Sequence, residues 1–275
     1  MKILFFGDIV GRAGRQAITQ VLPEMKKEFK PDLTIANAEN LAHGVGITPK
    51  TLDECQSAGI NFFTSGNHVW KKPDVEKIFA KADAPLIRPA NYPEDMPGAG
   101  YQTVLAGTSP ILVINLNGIV FIEEEFTDPF QAVDEILSRH TNSGLAGIIV
   151  DFHAEATSEK VAFGWHVNGR VSAVIGTHTH IPTADERILS DGTAYITDVG
   201  MVGPRDEVLG VDKSVIIHNF KNKSDKKPHS IPRTGPCIAN AVVIEIDTKT
   251  KKAKNIKRIT KEIIDYCISK LYAKN

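Results

Sequence analysis

The chain has 275 residues, 42% hydrophobic and 24% charged, enough to bury a full core, and one domain over residues 1–275 is expected. A formal net charge of -1 supplies no field for duplex DNA or an acidic membrane surface and leaves small anionic substrates open. No apolar run approaches the ~20 residues that span a bilayer, no cleavable leader follows Met1, and the scattered Cys55, Cys237 and Cys267 lack CxxC spacing, so a cytoplasmic protein with buried free thiols is expected.

The first third alternates strand and helix. Ile3 to Phe6 reads as a strand, Gln16 to Phe29 as a helix, and Leu33 to Ala36 as a strand. Thr48-Pro49 opens the next helix, with Thr48 as N-cap and Pro49 in the first turn, and Phe62 to Ser65 is a third strand. Such alternation predicts parallel pairing.

Prolines and glycines from Arg88 to Gly100 predict a long loop. Leu112 to Leu116 and Ile119 to Ile122, split by Asn117-Gly118, predict a hairpin. Asp128-Pro129 opens a helix to about Arg139, and strands follow over Gly147 to Asp151 and Val171 to Ile175, with β-rich sequence from Arg187 to Thr197. The basic segment Lys221 to Arg233 has no interleaved aromatics, so a solvated loop ranks above an RNA contact. Ile238 to Ile246 and Lys254 to Ile259 are late strands, followed by a short terminal helix. Two mixed sheets packed together with helices outside accommodate this order of elements.

Donor side chains follow the apolar runs: Asp8, Glu39, Asn40, Asn67, His153, His178 and His180. Reactive groups of open α/β folds gather outside the carboxyl ends of strands, so these seven are expected at one edge, as in a two-metal hydrolase. Gly7-Asp8-Ile9-Val10-Gly11-Arg12-Ala13-Gly14 has the wrong spacing for GxGxxG, and the Asp8 carboxylate would oppose a pyrophosphate, which favours a metal-binding aspartate over a dinucleotide loop. In Gly66-Asn67-His68 the glycine permits a sharp turn, the amide supplies a neutral oxygen, and His68 can reach a substrate. His178 and His180, one residue apart on an extended strand end, are expected to point the same way. His43, in the loop from Asn40 to Gly46, lies beside the expected site, whereas His140, His166, His218 and His229 carry no such context.

Gly7-Asp8, Glu39-Asn40, Gly66-Asn67-His68, Asp151-Phe152-His153 and Gly176-Thr177-His178-Thr179-His180 together resemble the calcineurin-like metallophosphoesterases. Gly-Asp-Ile-Val-Gly-Arg, Ile-Thr-Asp-Val-Gly-Met and Asp-Phe-His-Ala-Glu-Ala-Thr-Ser-Glu-Lys resemble the bacterial YmdB-like branch more closely. Val10 stands where the wider superfamily has a second ligand, and Glu39-Asn40 replaces its Gly-Asp-x-x-Asp block; both departures are similar to that branch.

The resemblance implies a four-layer α/β/β/α sandwich and two divalent ions, iron or manganese first, with zinc and magnesium left open. One ion would take Asp8, Glu39, Asn40 and His180, the other Glu39, Asn67, His153 and His178. Two carboxylates against two divalent ions leave the site cationic and attractive to phosphate. The expected reaction is phosphodiester hydrolysis, notably of 2',3'-cyclic nucleotides, by attack of a bridging hydroxide with His68 as general acid. Alternatives are a phosphomonoesterase or protein phosphatase on the same site, and a low-turnover nucleic-acid-binding regulator. Self-association is left open.

Overall fold

The computed structural model describes residues 1–141, 143–232 and 234–267, without the side chains of 265–267. In chain order the strands are β1 Lys2–Ile9, β2 Leu33–Asn37, β3 Phe62–Thr64, β4 Tyr101–Ala106, β5 Ser109–Asn117, β6 Gly147–His153, β7 Ala173–Thr177, β8 Arg187–Ile188, β9 Ala194–Ile196, β10 Met201–Pro204, β11 Thr234–Ile246 and β12 Ala253–Cys267. The α-helices are α1 Gly11–Phe29, α2 Pro49–Ala58, α3 Glu76–Phe79, α4 Pro129–Arg139, α5 Thr157–His166 and α6 Lys213–Lys221. No described helix is long and apolar enough to cross a membrane.

The strands form two mixed sheets, ordered β12-β11-β10-β1-β2-β3 and β4-β5-β6-β7-β9-β8. The period of two along each strand sends alternate side chains to opposite faces, and the cores follow that alternation. On β1, Leu4 and Phe6 pack with Ile18 and Leu22 of α1, while Ile3 and Phe5 enter a second core with Ile111, Val113, Ile149 and Ile175 of the other sheet. The outer face of that sheet, including Leu112, Ile114 and Phe152, is covered by Val133 of α4 and Phe163 of α5. The layers are therefore α/β/β/α. At roughly 25 cal/mol per Å² of apolar surface, three such cores dominate the stabilisation.

Parallel pairing of β1, β2 and β3 agrees with the alternating pattern. The Thr48 hydroxyl accepts from the Thr51 backbone N in a reciprocal cap, and Asp128 caps α4. The hairpin predicted at Asn117-Gly118 is absent. Residues Leu112 to Leu116 belong to β5, which is buried on both faces between β4 and β6, and the chain reverses instead at Gly107-Thr108, with Ala106 opposite Ser109. Gly118 closes the strand by donating its N–H to His153 O, and no strand forms over 119–122. Helix α1 begins at Gly11 rather than Gln16, because Gly11, at φ +59°, donates its N–H to Asn40 O and turns the chain directly out of β1. Strand pairing continues in β12 to Cys267, displacing the start of the expected terminal helix; the remainder lies outside the described residues. Cys55 and Cys237 are buried, and the Cys267 side chain lies outside the description.

Candidate metal centre

The carboxyl ends of β1, β2 and β3 on one sheet and of β6 and β7 on the other meet at one edge. Asp8 lies in β1, Glu39 and Asn40 follow β2, Asn67 and His68 follow β3, His153 ends β6, and His178 and His180 follow β7. Asp8, Glu39 and His153 are fully buried. A turn or N-cap role for Asp8 does not apply: helix α1 is preceded by Val10 with no side-chain cap, and Asp8 Oδ2 accepts the His178 backbone N–H at 3.1 Å.

Two clusters share this edge. Glu39, His153 and His178 present ligand atoms all within 4.8 Å of one another, with His153 Nε2 3.1 Å from Glu39 Oε2 and 3.0 Å from His178 Nδ1. Beside them, His180 Nε2 lies 3.9 Å from Asp8 Oδ1 and 3.2 Å from Asn40 Nδ2. Asn40 Nδ2 also donates to Glu39 Oε1 at 3.1 Å, joining the clusters through Glu39. A half-turn of the Asn40 amide exchanges oxygen for nitrogen toward His180. His68 Nδ1 lies 2.9 Å from Asn40 Oδ1 and 3.0 Å from Glu39 Oε1, and the ring is partly exposed.

The donor set fits divalent cations. Asp8 Oδ1 and Asn67 Oδ1 are buried oxygens without a hydrogen-bond partner among the described residues, a costly condition that a cation would remove. A Cβ at Gly66 would overlap Glu39 Oε2 and His153 Nε2, so Gly66 keeps their shared space clear. Space, rather than a left-handed turn, is what demands this glycine, since its φ is not positive. Burial acts to lower the His153 value, but Glu39, Asp8 and Asp151 overcome it and push it up to about 9. Burial and the His153 charge push His178 down to about 3. Glu39, despite burial, is held well below the ordinary carboxylate range by His153 and His68. Three donors converging on one space mark a place for positive charge. Nitrogen and oxygen donors suit iron, manganese or zinc.

The expectation that His178 and His180 project from an extended strand is corrected. Both have left-handed backbones, at φ +96° and +66°, so a strained turn after β7 aims them at different clusters. Beneath this turn Lys160 Nζ donates to Thr177 O at 2.6 Å and to Asp198 Oδ2 at 2.8 Å. Asp198 Oδ2 also accepts from the Thr179 backbone N and Oγ1.

Each histidine has a partner on its far nitrogen, which orients the ring and selects the tautomer. His153 Nδ1 meets Thr177 Oγ1 at 2.8 Å, and that hydroxyl donates to Asp151 Oδ1 at 2.7 Å. Thr64 Oγ1 and Asn37 Nδ2 donate to the other oxygen of Asp151. His178 Nε2 lies 3.1 Å from Glu155 Oε2, and His180 Nδ1 3.1 Å from Leu209 O. Asn67 Nδ2 donates to Glu124 Oε2 at 3.3 Å. Asp151, Glu155, Lys160, Thr177 and Asp198 all stand in the motifs quoted above, but spacing alone gave none of them a role.

The clusters open into a cavity of about 320 Å³ lined by Glu39, Asn40, His68, His178 and His180, together with His43, His229 and Ile231. His43 thus lies where expected. His229 and Ile231 enter from the segment read as a solvated loop, and nothing in their local sequence announces it. His140 packs on Tyr101, His166 pairs with Asp134, and His218 bonds Asp225 O. A larger hollow of about 590 Å³ lies between α1 and α2, lined by Arg15, Asp53 and Glu54 among others. It contains none of the ligand candidates, and Arg15 within it is engaged by Glu54 and Leu41 O.

Residues 4–259 match the YmdB-like protein family. A 2',3'-cyclic-nucleotide 2'-phosphodiesterase of Bacillus subtilis (strain 168) is 46% identical over 260 residues, covering 94% of this chain and 96% of its own. A crystal structure of a novel phosphatase from Mycoplasma pneumoniae superposes with a TM-score of 0.88 at 35% identity, over 98% of this chain and 96% of that one. A hypothetical protein from Thermus thermophilus gives 0.87 at 32% identity, over 95% of this chain and 99% of that one.

Proposed function

The chain belongs to the YmdB-like family and with it to the phosphoric diester hydrolases, and we propose that it opens 2',3'-cyclic nucleotides at a centre of two divalent ions. The observation that carries this reading is the joining of two donor clusters through Glu39: Glu39, His153 and His178 on one side, Asp8, Asn40 and His180 on the other. Asn67, whose buried oxygen has no partner among the described residues, would complete the first cluster, with iron or manganese the favoured occupant. Bound there, the ions would supply charge for the phosphoryl oxygens and acidify water.

The chain's own residues do the remaining work. The buried Asp151, Thr177 and Lys160 hold the histidines in place, so little reorganisation accompanies the reaction. His68, partly exposed at the cavity and bonded through Nδ1 to the ligand cluster, would give a proton to the departing oxygen. The cavity at about 320 Å³ is at the small end of ligand sites and suits a single nucleotide.

A phosphomonoesterase reading is favoured by one observation, the similarity to the Mycoplasma pneumoniae phosphatase. Incubating manganese- or iron-loaded protein with 2',3'-cyclic AMP and with a phosphoserine peptide separates the two. Release of a nucleoside monophosphate from the first and no phosphate from the second is expected. The reverse pattern overturns the diesterase reading.

A further inference from the structure

The segment after α6 is anchored rather than loose. Asn219 Nδ2 donates to Lys227 O at 2.9 Å and Asn219 Oδ1 accepts the Lys227 N–H at 2.8 Å. Asp212 donates its N–H to Ser230 O at 2.9 Å. Ile231 then packs so closely over Gly11 and Gly44 that a Cβ on either would meet its Cδ1. These attachments bring His229 and Ile231 to the cavity wall.

The same anchored segment carries a run of cations that ends two residues before the cavity wall. Lys221, Lys223, Lys226 and Lys227 are all exposed, and among the described residues no ion pair joins any of them to a carboxylate. Lys227 is two residues from His229, so about 7 Å of chain separates it from the cavity wall at most. Beside the run, Phe220 is 78% exposed at the end of α6. The segment has no aromatic of its own, but the helix supplies one at its edge. An electropositive track with an exposed aromatic face is how proteins hold single-stranded nucleic acid without reading its sequence.

We propose that the substrate of this site is the 3' end of an RNA strand terminating in a 2',3'-cyclic phosphate, with the terminal nucleotide in the cavity and the upstream phosphates on Lys223, Lys226 and Lys227. This rests on the diesterase reading above. The cavity suits one nucleotide, and a strand attached through that nucleotide's 5' oxygen would leave past the wall formed by His229 and Ile231, from which the lysine-bearing segment runs. Water supplies an oxygen to phosphorus, the bond from phosphorus to the 2' oxygen breaks, that oxygen takes a proton, and the RNA is left with a 3'-phosphate. Phe220 offers a stacking face to an upstream base.

The test compares 2',3'-cyclic AMP with a hexaribonucleotide ending in a 2',3'-cyclic phosphate, on manganese-loaded full-length protein over a range of salt. With three phosphates neutralised, the logarithm of kcat/KM for the hexamer should fall with log salt more steeply than for cyclic AMP, by a slope of about 2. At low salt the hexamer should be preferred by about tenfold or more. Replacing Lys223, Lys226 and Lys227 together by alanine should erase both differences and leave the cyclic AMP rate within about twofold, because the segment is anchored through backbone and Asn219. Phe220→Ala should raise KM for the hexamer alone. Equal salt slopes for the two substrates, or a triple variant that slows both alike, would overturn the inference while leaving the diesterase reading intact. Failure to open either substrate would overturn both.

Discussion

Lys160 Nζ and Asp198 Oδ2 form a buried ion pair of 2.8 Å directly beneath the left-handed turn that carries His178 and His180. Breaking one partner strands the other charge in the interior, a loss of about 3–5 kcal/mol. Lys160→Met and Asp198→Asn should each destabilise the protein by about that much, and the double variant by less than the sum. Urea unfolding of all four proteins measures the coupling. Metal affinity, measured where every variant is folded, should also fall; unchanged affinity would assign the pair to the fold alone.

Thr177→Val keeps the volume but removes the hydroxyl that joins Asp151 to His153. The ring would lose its fixed orientation and a valine would leave the buried carboxylate short of a donor. Metal affinity should drop about 10- to 100-fold, with Thr177→Ser recovering most of it. Calorimetric titration with manganese reads the difference.

Glu39 contacts both clusters, so Glu39→Gln should lower the binding of both ions and the turnover together. Strong chelation should abolish hydrolysis, and added manganese or ferrous iron should restore it. Elemental analysis alongside rate measurement checks this; full turnover with no detectable metal would refute the metal-dependent reading.

His68→Ala should retain the metals and slow a diester with a poor alkoxide leaving group by about 10²- to 10⁴-fold. A nitrophenyl diester, whose leaving group needs little protonation, should be slowed much less. Equal losses on the two esters would remove His68 from the role of acid and leave it holding phosphate.

Burial pushes the Cys55 thiol up to about 12 from an ordinary value of 9.0. A raised folded value means that the contribution to stability is intact below the unfolded value of 9.0 and is lost as pH climbs from there toward about 12. Between pH 9 and 11, Cys55→Ala should therefore show a shallower loss of stability than the parent, measured by urea unfolding across that range. Native Cys55 should also resist iodoacetamide at neutral pH.

The ligand candidates were legible because strand ends are: Asp8, Asn67, His153 and His178 each stand at or just past a short apolar run, and parallel strands leave such ends at one edge. The hairpin at Asn117-Gly118 was misread because that dipeptide is a strong local turn signal, while the burial of β5 on both faces is a property of its neighbours. Helix α6 has no buried residue and gave no amphipathic pattern. Helix α5 lacks a side-chain N-cap, and its Lys160 and Glu159 face inward through contacts with distant residues. His229 and Ile231 are held at the cavity by contacts of their segment with Asn219, Asp212, Gly11 and Gly44, which lie outside the segment and leave no trace in its own sequence.

The donors divide between the sheets, with Asp8, Glu39, Asn40 and Asn67 from one and His153, His178 and His180 from the other. Ions held by both sets would rivet the two halves of the sandwich together, stabilising it by mass action in proportion to the logarithm of free metal. Affinity then becomes a gauge of how the sheets are seated. A substitution at Phe5 or Ile149, in the shared core and touching no ligand, would register as a weakened hold on metal well before the protein unfolds.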